Sequence, residues 1–241
     1  MGKIKKVDDC IKDNGFKSLV YGESGVGKTL LCATMPKPLI ISNEKGLMSL
    51  KKSNLVRVHG ENKPFVDYEP DVWEVTRLSE IIEVYRFLQN SKEAEKYESV
   101  CLDSLTDLAD MLLIEVLKLP EVKDPRQGFY DVQKKIEELA KDFRDLPRYH
   151  VLITCAAERL KDELSGAVRV SPMLTGQKLG QKAPYWFDSV FKLSVEGHGE
   201  NAYRVLKTRP EPSFVAKDRS GCLEASEYPA IKPLIDKIRK S

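Results

Sequence analysis

Early in the chain, the apolar segment Phe16-Lys-Ser-Leu-Val-Tyr21 runs into Gly22-Glu-Ser-Gly-Val-Gly-Lys-Thr29 and then into a helical pattern over 28–35. Strand, glycine-rich turn and helix in that order form one unit of a sheet flanked by helices. The turn fits G-x-x-x-x-G-K-[ST] once, and both contextual requirements, a strand before it and a helix after it, are met. Backbone N–H groups of such a turn converge on phosphate oxygens, and glycine allows an approach that a Cβ would block. Gly22, Glu23, Ser24, Gly25, Val26, Gly27, Lys28, Thr29 and Leu30 are therefore expected to hold a nucleotide, ATP, with Mg²⁺. Lys28 is expected to reach the β- and γ-phosphates, and the Thr29 hydroxyl to bind the metal.

The same alternation continues along the chain. Strands are expected at 17–21, 38–42, 73–76, 99–103, 150–155, 189–196 and 202–208, and helices at 28–35, 78–90, 104–119 and 130–145. In the last helix Val132, Ile136, Leu139 and Phe143 recur at three and four residues, an apolar stripe that should pack on the sheet. The stretches 122–128 and 157–181 look like loops, and a structureless loop as long as the second usually binds something or moves. The cluster Tyr185, Trp186 and Phe187 is expected in the core. At 241 residues the expectation is one α/β domain. Its parts would be an N-terminal extension (1–15), a core (16–221) and a tail (222–241) with a short basic helix.

Charge narrows the function little. With 39 Lys+Arg against 37 Asp+Glu the net charge is +2, so any nucleic-acid partner must be met by a local patch. Five cysteines at no C-x-x-C spacing and three scattered histidines predict neither zinc nor a disulfide framework. No apolar stretch approaches the roughly 20 residues that span a bilayer, and the N-terminus lacks a secretory pattern, so a cytoplasmic protein without a membrane partner is expected.

A phosphate loop needs a carboxylate at the end of a neighbouring buried strand to hold Mg²⁺. Asp103, closing Val100-Cys-Leu-Asp103 ahead of a helix, is the candidate, with a helix cap as its other possible role. Ser104 follows it, so the base that orients the attacking water must come from elsewhere. Glu44, after the strand at 38–42, lies at the same sheet edge and is the candidate, a solvated turn being the alternative.

Phosphate loop, glutamate after the next strand and an apolar run ending Asp-Ser together resemble the RecA-like ATPase superfamily, over roughly Phe16 to Gly221. Within it the chain looks like compact phage-encoded ATP-binding proteins of DNA recombination and single-strand annealing. The resemblance implies a mostly parallel central sheet flanked by helices, with antiparallel strands toward the C-terminus. It implies a polar sensor, Thr154 or Glu158, at the end of the strand after the metal carboxylate. Arg159, Lys161 and Arg169 would occupy the place of DNA-contacting residues, and their charge suits phosphates. Phe214-Val-Ala-Lys217-Asp218-Arg219 is similar to a Lys-x-Arg segment that some relatives project into a neighbour's site, which would make Lys217 and Arg219 catalytic in trans.

The implied function is a Mg²⁺-dependent ATPase of DNA recombination or replication. It would self-associate into a ring or filament on single-stranded DNA, in the host cytoplasm if phage-encoded. A single-strand-binding protein or helicase is a further possible partner. Two other classes fit the same motif: a small-molecule phosphotransferase with 157–181 as its lid, and a nucleotide-switched loader of a replication partner.

Overall fold

The computed structural model describes residues 14–43, 46–118, 124–161 and 166–241. Its strands are β1 (Lys17–Gly22), β2 (Pro38–Ser42), β3 (Asp71–Glu74), β4 (Ser99–Asp103), β5 (His150–Lys161), β6 (Val168–Pro172), β7 (Ser189–Glu196), β8 (Tyr203–Lys207), β9 (Lys217–Asp218) and β10 (Ser226–Glu227). The sheet runs β10-β8-β7-β1-β5-β4-β2-β3. From β7 to β3 every neighbouring pair is parallel, and β7–β8 and β8–β10 are antiparallel. This is the α/β architecture expected from the sequence, antiparallel strands at the C-terminal flank included.

Parallel strands covered on both faces are apolar throughout, and every residue of β1, β2 and β4 is buried. Alternate residues supply two cores. Leu19, Tyr21, Ile41, Leu102 and Ile153 face one, while Val20, Ile40, Cys101 and Leu152 face the other. The first is covered by α3 (Leu78–Asn90), α4 (Leu105–Leu117) and α5 (Pro125–Arg144). The second is covered by α1 (Lys28–Cys32), α2 (Lys52–His59) and α7 (Ile231–Lys240). The α5 stripe behaves as expected: Val132, Ile136 and Phe143 are buried and Leu139 packs against the same cluster. Helix α7 buries Ile231, Leu234 and Ile235, and its first N–H groups bond Thr34, at 2.9 Å to the hydroxyl and 2.9 Å to the carbonyl.

Several expectations need correction. Strand β4 is not a neighbour of β1, because β5 lies between them. The stretch 157–181 is not a loop where it is described: β5 continues to Lys161 and pairs antiparallel with β6, and α6 (Gln177–Lys182) follows. The described part of that stretch is therefore paired strand and helix, not the structureless loop expected. In 122–128 the described part begins a helix, with the Asp124 carboxylate accepting from the Arg126 N–H at 2.9 Å. Of the aromatic cluster only Phe187 is fully buried, Trp186 is partly so, and Tyr185 is 81 % exposed. Helix α1 stops at Cys32, three residues short of Met35.

Among the described residues no helix is long and apolar enough to cross a membrane, and no cluster of three metal-ligating side chains occurs. Cys32, Cys101, Cys155 and Cys222 are free thiols.

Candidate nucleotide site

Strand β1 ends at Gly22, where a Cβ would lie 2.6 Å from the Leu193 carbonyl oxygen. Gly27 has φ +104, a conformation that side-chain-bearing residues rarely adopt. Between them the loop turns from β1 into α1, whose first bond runs from the Leu31 N–H to the Gly27 carbonyl at 3.1 Å. The Lys28 ammonium folds back over the loop and donates to the carbonyls of Gly22 (3.1 Å) and Glu23 (3.0 Å). Those partners belong to the loop itself, so the cation lies against the turn that would cradle a phosphate.

Two strands away, Asp103 closes β4 and is only 1 % exposed. The Thr29 hydroxyl donates to its Oδ2 at 2.7 Å, and the Thr154 hydroxyl, from the intervening β5, donates to Oδ1 at 2.5 Å. Burial pushes the Asp103 carboxyl above its ordinary range, while the two hydroxyls and the Lys28 charge pull it back. The competing cap role falls to Ser104, whose hydroxyl accepts from the Asp107 N–H at 3.2 Å to cap α4. Asp103 is thus left facing the loop. A threonine hydroxyl and a buried carboxylate in contact are hard oxygen donors of the kind Mg²⁺ takes, with the rest of its shell from water and phosphate. The residues fit the metal.

The two sensor candidates differ in their contacts. Thr154 touches the carboxylate, whereas Glu158 lies out on the β5–β6 hairpin, 3.5 Å from the Ser171 hydroxyl, with burial raising its pKa. Glu44 lies outside the described residues. The preceding strand pairs Ser42 opposite Asp103, so the chain leaves β2 beside the carboxylate.

The structure separates the three cations expected at DNA. Pairing places Arg159 opposite Val170 and Arg169 opposite Leu160. Cross-strand partners share a face, so Arg159 and Lys161 project from one side of the hairpin and Arg169 from the other. Arg159 also reaches the phosphate loop, pairing with Glu23 at 2.6 Å. At 70 % and 59 % side-chain exposure this pair contributes about 0–1 kcal/mol.

Lys217 and Arg219 stand elsewhere. Residues Lys217 and Asp218 pair with the start of β7, which is level with the start of β1, so both cations sit at the sheet edge opposite the loop. There the Lys217 ammonium donates to the Pro184 carbonyl at 2.8 Å, and Arg219 pairs with Asp188 at 2.7 Å. Neither reaches the loop of its own chain.

Two residues near the loop escape a reading of spacing. Arg204, on β8, donates its Nε–H to the Val26 carbonyl at 2.8 Å. His59, the last residue of α2, is 7 % exposed and borders the same side of the loop. Neither belongs to a local motif, and only the sheet order brings them there.

A protein-family model described as an AAA domain matches residues 14–220. No curated protein sequence matches the chain. Among solved structures, the RadB recombinase is similar at 15 % identity and TM-score 0.47, covering 79 % of this chain and 79 % of that one. A KaiC-like protein from Pyrococcus horikoshii is similar at 14 % identity and TM-score 0.38, covering 78 % and 76 %. The flagellar accessory protein FlaH from Methanocaldococcus jannaschii is similar at 10 % identity and TM-score 0.41, covering 82 % and 78 %. With its glycine loop, Lys28, and Asp103 held between two threonine hydroxyls on a mostly parallel sheet, the chain belongs to the AAA domain family of P-loop NTPases.

Proposed function

We propose that the chain hydrolyses ATP in a Mg²⁺-dependent reaction coupled to single-stranded DNA in recombination or replication. The observation that carries the hydrolytic part is the Thr29–Asp103–Thr154 chain of hydroxyls and carboxylate beside Lys28. The loop amides and Lys28 hold the β- and γ-phosphates, and the ammonium faces charge that builds on the bridging oxygen as the terminal P–O bond breaks. Thr29 and Asp103 would hold Mg²⁺, which neutralises phosphate charge when bound. Thr154, hydrogen-bonded to Asp103, keeps that carboxylate oriented and senses whether the terminal phosphate is present. Glu44 is the proposed base that orients the water; Glu44→Gln is expected to bind ATP and lose most of its turnover.

The DNA part is supported by the hairpin of β5 and β6. It rises from the same sheet edge as the phosphate loop, carries Arg159 and Lys161 on one exposed face, and touches the loop through Glu23. Lys217 and Arg219, at the opposite edge, serve a neighbouring subunit in this reading, in a ring or filament that stacks one edge on the other. The experiment is ATPase rate with and without single-stranded DNA across protein concentrations. Stimulation by DNA together with a rate per subunit that rises with concentration is expected. A rate indifferent to both would leave a plain NTPase and remove the recombination reading.

A further inference from the structure

Sheet order gives the phosphate loop a direction. Asp103 and Thr154 lie on β4 and β5, to one side of β1, while β7 and β8 lie to the other. In the nucleotide reading the terminal phosphate meets the carboxylate and Lys28, and the side of the loop away from them is that of Leu30 and β8. On that side a cavity of about 320 Å³ borders the loop, lined by Gly27, Leu30, His59, Tyr203, Arg204 and Tyr228 among others. Its volume is at the small end of ligand pockets, which run from roughly 300 to 1,000 Å³.

The cavity holds an unmet hydrogen-bonding group. His59 is 7 % exposed, and neither ring nitrogen has a partner. A buried imidazole left in that condition is costly, and at a cavity wall a ligand atom would complete it. The Phe65 ring meets the His59 ring edge-on with centroids 6.4 Å apart, and the same Phe65 ring meets that of Tyr228 at 6.0 Å, so Phe65 links the imidazole to Tyr228. Tyr203 and Tyr228 are 57 % and 56 % exposed, large rings at a cavity mouth with free area for a planar guest. Arg204 is tied to the Val26 carbonyl, so the loop and this wall form one unit.

We propose that this cavity takes the purine base of the nucleotide, with His59 donating to the base nitrogen N7 and the rings of Tyr203 and Tyr228 flanking it. The inference rests on the nucleotide reading above and deepens it by naming the residue that selects the base. Purines present N7 as an acceptor and pyrimidines lack it. Burial and the Arg204 charge lower the imidazole pKa, so at neutral pH His59 keeps one donor and one acceptor nitrogen.

The test is equilibrium binding of ATP, GTP, CTP, UTP and inorganic tripolyphosphate, each with Mg²⁺, to wild type, His59→Ala, His59→Gln and Tyr203→Ala. Wild type is expected to prefer the purine nucleotides about 10-fold or more. His59→Ala should weaken ATP and GTP about 10-fold, bring the purine-to-pyrimidine ratio toward one and leave tripolyphosphate unchanged. Tyr203→Ala, at an exposed position that cannot unsettle the core, should weaken ATP and GTP several-fold, and it decides the question with His59→Gln if the alanine variant does not fold. Equal binding of all four nucleotides by wild type, or a ratio untouched in these variants, overturns the base assignment while tripolyphosphate binding keeps the phosphate loop intact. Failure of tripolyphosphate and every nucleotide to bind wild type overturns both.

Discussion

The two edges of this one sheet treat polar groups in opposite ways. At the amino-terminal edge the charges rest on partners of their own chain: Lys17 donates to the carbonyls of Leu146 (2.7 Å) and Tyr149 (2.9 Å), and Arg219, in the absence of a neighbour, pairs with Asp188. His150 belongs there too, its Nδ1 accepting from the Phe16 N–H at 2.8 Å with Arg239 close to its other nitrogen. At the carboxyl-terminal edge Lys28 rests on loop carbonyls, Asp103 is held by hydroxyls alone, and His59 has nothing. Ligands of open α/β sheets gather at the carboxyl ends of the strands, and here that edge offers Lys28, Asp103 and His59, for none of which an ion pair forms among the described residues. One edge stabilises the fold and the other waits for charge to arrive.

If that division is right, substitutions at the two edges should move different quantities. Lys28→Ala is expected to lower kcat/KM for ATP by about 100-fold or more, as loss of a transition-state cation does, with the thermal midpoint unchanged. A large fall in midpoint would show that Lys28 holds the fold. The opposite signature is expected of His150. Burial, Arg239 and Lys17 depress its pKa to about 4, against 6.5 unfolded, so the unfolded chain binds the extra proton first as pH falls. Stability from this group is complete above about pH 6.5, drains away between 6.5 and 4, and totals about 3 kcal/mol. Urea titrations of wild type and His150→Gln at pH 7 and pH 4.5 should show the acid-induced loss shrinking in the variant, with ATPase at pH 7 unaffected.

Thr154→Val sits between these extremes. It leaves Asp103 Oδ1 without its donor inside the core, which should cost about 1–3 kcal/mol of stability and lower kcat about 10-fold. An effect on stability alone would reduce Thr154 to a structural prop. The smallest effect is expected of Arg159→Ala, whose exposed pair with Glu23 is worth under about 1 kcal/mol. Stability and basal turnover should scarcely change, and any stimulation by single-stranded DNA should fall with a weaker salt dependence.

What could be read from the sequence follows from how local each signal is. The phosphate loop, β1, β2 and β4 declare themselves through spacing and unbroken apolar runs, and Asp103 through its place at a strand end. Thr154 and Glu158 could not be separated beforehand, because which of them lies level with Asp103 depends on the register of β5 against β4. Helix α2 was invisible: within Lys52–His59 only Leu55, Val56 and Val58 are apolar, and they stand among charged and polar residues. The hairpin was hidden for a similar reason, since charged residues occupy both of its faces. His59 and Arg204 reach the loop only because α2 and β8 pack on one side of β1, a tertiary fact. The edge occupied by Lys217 and Arg219 follows from a short pairing of β9 with β7 that no spacing announces.

The most direct test is calorimetric titration of a non-hydrolysable ATP analogue, with and without Mg²⁺, into wild type and Lys28→Ala. One site per chain is expected, tightened by Mg²⁺ and weakened at least about 100-fold in the variant. Absence of binding to wild type, or equal binding by both proteins, would contradict the assignment of the glycine loop as the seat of the triphosphate.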